Sequence, residues 1–194
     1  MSFALPVNAR AGAGSALAGR DASFRAAVLT PPRLAPEVRL TASGGAEFRL
    51  SQQRGHIVLL TFGYTSCPDV CPIILAKLAQ ARAQLGPLAP QVQIVFVTVD
   101  PARDTPDLMA ARLGAFDPTI VGLTGTPADL ARARQAYGVV AQQVRPRPGS
   151  EVDRFDHSAP VYVVDRYGRL RLMFTSGTSV EDMTHDLHVL LDDG

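Results

Sequence analysis

Ile57-Val58-Leu59-Leu60-Thr61-Phe62-Gly63-Tyr64-Thr65-Ser66-Cys67-Pro68-Asp69-Val70-Cys71-Pro72 is the stretch that decides how this chain folds. Its first six residues form a continuous apolar run, the pattern of a strand buried on both faces. A loop of Gly, Thr, Ser and Pro follows and carries both cysteines. Beyond it, Ile74, Leu75, Leu78 and Leu85 recur at helical spacing up to Gly86-Pro87. Proline is favoured at the first helical position, so the helix is expected to open near Pro72 with Cys71 at its cap. The positive end of the helix dipole then faces both sulfurs and favours thiolate. In open α/β sheets, ligands gather at such carboxyl ends of strands.

Outward from this unit, Val92 to Val99 reads as a second buried strand. Pro106 to Leu113 and Pro127 to Tyr137 read as helices, with proline in the first turn and Gly114 or Gly138 beyond the end. Val161–Val164 and Leu170–Phe174 flank Asp165-Arg166-Tyr167-Gly168 as a hairpin, and Val180 to Leu191 closes the chain as a helix. Upstream, Val38, Leu40, Phe48 and Leu50 flank Gly44-Gly45 as a short hairpin. Residues before Glu37 are small and proline-punctuated at Pro31-Pro32. The expectation is a flexible arm over residues 1–35 and one α/β domain over 36–194. That domain should hold a mixed central β-sheet with helices on both faces and an N-terminal β-hairpin.

A formal net charge of +1 gives no electrostatic case for nucleic acid or an anionic membrane. With only two cysteines, separated by three residues, the chain is no disulfide-stapled secreted domain, and so local a pair closes too short a loop to stabilise much. Its purpose is chemical, rather than that of two thiols packed side by side. No run approaches the ~20 apolar residues of a membrane span, and the first thirty residues lack the apolar core of a signal peptide. Either the protein is cytoplasmic or an anchor precedes this sequence.

His157 is the third candidate, in Phe155-Asp156-His157-Ser158-Ala159-Pro160 ahead of a buried strand. A lone histidine is usually a surface residue. In a thioredoxin-like sheet, however, that strand lies beside the first one, so its leading loop faces the cysteine loop. Two thiolates and one imidazole make a soft three-coordinate set suited to Cu(I) rather than to four-coordinate structural zinc. Asp100 and Asp104 follow the second strand. Capping is the leading reading for both, with Asp104 or Thr105 opening the helix at Pro106 and Asp100 holding the turn. The functional reading makes Asp100 a support for the metal loop or a docking residue. His185 and His188 are read as solvated, His56 as exposed, and Met109, Met173 and Met183 as core fillers.

Phe62 to Pro72, taken together with Val97-Thr98-Val99-Asp100-Pro101-Ala102-Arg103-Asp104-Thr105-Pro106, Gly122-Leu123-Thr124-Gly125 and Asp156-His157-Ser158, closely resembles the Sco (SenC-like) copper chaperones of cytochrome c oxidase. The four blocks occur in the family's order, and their combination is specific where a bare C-x-x-x-C is not. The resemblance implies a thioredoxin-like fold and copper held by Cys67, Cys71 and His157. It implies delivery to the copper A centre of cytochrome c oxidase subunit II or another copper-accepting protein, supplied by an upstream copper donor. It also implies a tether to the bacterial inner membrane facing the periplasm, or to the mitochondrial inner membrane, and no such tether is expected within this sequence. The alternative is an enzyme, a thiol-disulfide reductase that keeps the oxidase cysteines reduced; C-x-x-x-C in place of C-x-x-C, and the histidine, count against it.

Overall fold

The computed structural model describes residues 23–144, 154–157 and 160–193, with backbone alone for 142–144 and 154–157. Its centre is β4 (Ile57–Gly63), all seven residues of which are buried. β4 pairs in parallel with β5 (Val92–Thr98), and β5 in parallel with β6 (Val121–Thr124). On its other side β4 pairs antiparallel with β9 (Val161–Val164), which continues antiparallel to β10 (Arg169–Phe174). The hairpin β2 (Arg39–Ala42) and β3 (Glu47–Arg49) joins through β6. Strand β1 (Ala27–Leu34) closes the opposite edge against β10. The full order is β1-β10-β9-β4-β5-β6-β2-β3. A separate two-stranded ribbon pairs β7 (Ala141–Val144) with β8 (Arg154–His157).

Alternation along β4 sends Ile57 and Leu59 to one face and Val58, Leu60 and Phe62 to the other, which creates two cores. The first core is covered by α1 (Val70–Gln84), α2 (Pro106–Gly114) and α4 (Val180–Asp192), through residues such as Leu78, Met109 and Leu187. The second is covered by α3 (Pro127–Ala136) through Leu130 and Ala133. The mixed sheet with helices on both faces is therefore as expected. Met109 and Met183 are buried to 0% exposure and Met173 packs against the second core.

The onset of structure differs from the expectation of Glu37. Phe24 is buried, and Ala27–Leu34 form a full edge strand that precedes the expected hairpin. Pro31-Pro32 were read as a break, but an edge strand tolerates residues without an N–H donor, and the register shifts between Val28 and Arg33, where the two prolines lie. The segment is fastened by Asp186 of α4, itself fully buried. One carboxylate oxygen accepts from the Arg25 N–H at 2.8 Å and the other from the Ala26 N–H at 2.9 Å. His185, read as solvated, donates from Nε2 to the Ser23 carbonyl at 3.1 Å. Ala27 pairs with Met173, Phe174 with Val161, and Val161 with Thr61, so β1 begins at the end of the sheet where β4 delivers the cysteine loop.

Candidate metal centre

The cysteine loop leaves β4 at Gly63 and turns at once, with the Cys67 N–H donating to the Tyr64 carbonyl at 3.1 Å. Helix α1 then starts at Val70, two residues earlier than expected, with Asp69 at the cap and no side-chain cap bond. Cys71 and Pro72 both fall in the first turn. Proline is tolerated there because the first four helical N–H groups have no intrahelical acceptor. Cys71 is buried and Cys67 half-buried, and both are reduced thiols.

The two sulfurs are hydrogen-bonded to each other. That contact, then burial, pushes the Cys71 thiol far above its ordinary range, and the Asp104 charge adds to the effect, while the Tyr64 N–H donating to the sulfur opposes it. In the metal-free protein the neighbouring sulfur and burial thus oppose the pull toward thiolate expected of the helix dipole. Two anionic sulfurs in contact repel, and a cation between them reverses the balance. Alkylation of the reduced protein should therefore modify the more exposed Cys67 first and Cys71 second, which intact-mass analysis with peptide mapping would read. Faster modification of Cys71 would contradict this arrangement.

Gly63 makes the contact possible. A Cβ at this position would lie 2.8 Å from the Cys71 Sγ and 2.8 and 2.9 Å from two atoms of the Phe96 ring. Asp104 holds the other side of the loop. It has 0% exposure and accepts from the Thr65 N–H at 3.0 Å, the Thr65 hydroxyl at 2.5 Å and the Thr98 hydroxyl at 2.6 Å. It does not cap α2, since Thr105 does, accepting from the Leu108 N–H at 3.3 Å. Asp100 is buried and ion-paired with Arg103, and its N–H donates to the Thr98 hydroxyl at 2.9 Å. Sequence reasoning ranked Asp100 above Asp104 as a support for the loop, and the geometry ranks them the other way.

His157 is the last residue of β8 and pairs with Ala141, and its side chain lies outside the described residues. The backbone still bounds its position. Pro160 accepts from the Thr61 hydroxyl at 3.4 Å, and three residues span no more than about 11 Å. Ala141 and Cys67 also pack against the same core. Among the described residues no group of three His, Cys, Asp or Glu could hold a metal. His56 is exposed, as expected.

The chain matches the SCO1/SenC family model over residues 27–192. It is 35% identical over 159 residues to the mitochondrial SCO2 homolog of Bos taurus, covering 76% of this chain and 59% of that protein. It spans less than two thirds of the length of the bovine and human relatives. Its structure superposes on the copper-bound ScoI of Bradyrhizobium japonicum with a TM-score of 0.74 and 35% identity, covering 81% of this chain and 99% of the other. The apo Sco1 of Thermus thermophilus gives 0.76 and 36%, covering 86% and 96%.

Proposed function

Because the chain belongs to the SCO1/SenC family, we propose that it takes up Cu(I) on Cys67, Cys71 and His157 and delivers it to the copper A centre of cytochrome c oxidase subunit II. The observation that carries this reading is the contact between the two cysteine sulfurs at the carboxyl end of β4. Two neighbouring soft donors, one of them half-buried, form a site suited to a thiophilic cation. Binding converts thiols to thiolates and releases their protons, so uptake weakens as pH falls. The imidazole of His157 completes a three-ligand set that leaves a position from which an acceptor's own ligand can attack the metal. Copper arrives from an upstream donor, and its oxidation state is unchanged in the transfer.

Among the described residues no helix is long and apolar enough to cross a membrane. The proposed location is the periplasmic side of a bacterial inner membrane, where subunit II presents its copper domain. Asp100 enters this reading only through Arg103, since a buried, paired carboxylate has little charge to offer a partner.

His157→Ala should weaken Cu(I) binding by at least the ~10–100-fold that loss of a ligand's supporting partner costs, with thermal stability unchanged. Competition against a calibrated Cu(I) chelator measures this. Equal copper retention by both proteins would remove His157 from the ligand set and leave the cysteine pair alone.

The sulfur contact also favours a second reading, a thiol-disulfide reductase. In that reaction Cys67 and Cys71 would lose two electrons and two protons to form a disulfide, and a partner disulfide would gain them to become two thiols. Copper and the disulfide then compete for the same sulfurs.

A further inference from the structure

A pocket of about 280 Å³ opens between the first turn of α1 and the end of α2, and both cysteines lie on its wall. Its floor is apolar, formed by Leu75, Phe96 and Leu113. Its rim carries Phe116 and Arg112. Phe116 is 37% exposed and belongs to neither core, so its ring contributes little to folding. Arg112 is exposed and makes no hydrogen bond or ion pair among the described residues.

We infer that this pocket is the docking point of the copper acceptor, which seats an apolar side chain in it and a carboxylate against Arg112. The inference rests on the copper-delivery reading above and names the surface through which delivery runs. A ligand that takes the metal from Cys67 and approaches by this opening stands over the pocket. About 280 Å³ over an apolar floor leaves room for an apolar side chain of a partner. An apolar anchor in a pocket beside an arginine is the composition of an interface centre. The free charge of Arg112 selects an acidic counterpart and speeds encounter with it. The partner is therefore a copper-accepting protein whose own metal-binding cysteines stand near an exposed apolar residue and an Asp or Glu.

The experiment loads the protein with Cu(I) under anaerobic conditions. It follows transfer to the reduced soluble copper-binding domain of an oxidase subunit II, and separately to a small sulfonated Cu(I) chelator. Arg112→Glu and Phe116→Ala should each slow transfer to the protein acceptor by about tenfold, the scale of a centre residue. Arg112→Gln should also weaken the salt dependence of the wild-type rate, and Arg112→Glu should shift it toward rates that rise with salt. Abstraction by the chelator should stay within about twofold of wild type, because neither residue holds the metal. Unchanged protein transfer in both variants overturns the inference. Equal slowing toward the chelator also overturns it, since the residues would then act on the site and not on a partner. Self-association of the wild type that Phe116→Ala abolishes would assign the pocket to a second copy. A wild type that holds no copper, or holds it and never passes it on, sinks the delivery reading itself, and that result appears before any variant is made.

Discussion

Asp104→Ala is expected to lower folding stability by about 3 kcal/mol and to loosen the cysteine loop. Each hydrogen bond to a charged acceptor contributes roughly 1.5–3 kcal/mol, and three converge on this carboxylate. Part is returned because the variant no longer buries a charge. The Thr98 hydroxyl is left in a fully buried place without its acceptor. For a domain of this size the loss corresponds to a fall in Tm of about 6–12 °C, measurable by thermal unfolding. Cu(I) affinity should fall with it, by about tenfold or more, because Thr65 sits two residues before Cys67 and the loop reaches its native shape only part of the time. An unchanged Tm would show that Asp104 does not hold the loop. Asp104→Asn, whose amide still accepts, should fall between the two.

Gly63→Ala is expected to damage the metal centre directly. The added methyl would stand 2.8 Å from the Cys71 sulfur and equally close to the Phe96 ring, so at least one must move. Forcing an extra carbon into a filled core costs about 1–3 kcal/mol. A shifted sulfur should also lose Cu(I) affinity by about tenfold or more, since ligand sets tolerate only small errors of position. The two effects separate in a double variant. Gly63→Ala with Phe96→Leu should recover much of the stability by giving the methyl room on the ring side, while the sulfur contact and the affinity loss remain. Wild-type affinity in Gly63→Ala would mean that the sulfur moves aside without consequence for copper.

The centre of the molecule was readable because its signals are local. A fully buried strand writes itself as an apolar run, which Ile57 to Phe62 does, and the two cysteines follow it with no intervening element. The hairpin at Asp165–Gly168 and the prolines opening α2 and α3 are likewise local, and each matched. What was not legible depended on a partner. Strand β1 exists because β10 offers an edge and Asp186 an anchor 160 residues away, while Pro31-Pro32 advertise a break. The alternation of Phe24, Ala26 and Val28 toward the first core was the signal available against them. Strand β6 spans four residues, too few for a period to be recognised. Asp100 and Asp104 are equivalent on paper, and only the fold puts Arg103 beside one and two threonines beside the other.

The clasp of Asp186 on Arg25 and Ala26 also settles from which rim the chain hangs. Strand β1 enters at the rim that bears the sulfurs, and α4 follows β10 to the carboxyl terminus. The described chain thus begins toward the end of the molecule that bears the sulfurs. A fluorophore, affinity handle or fused domain spliced directly ahead of residue 23 would crowd that end and compete with any visitor to it. Spliced after α4, the identical cargo would be joined to a helix that carries neither cysteine.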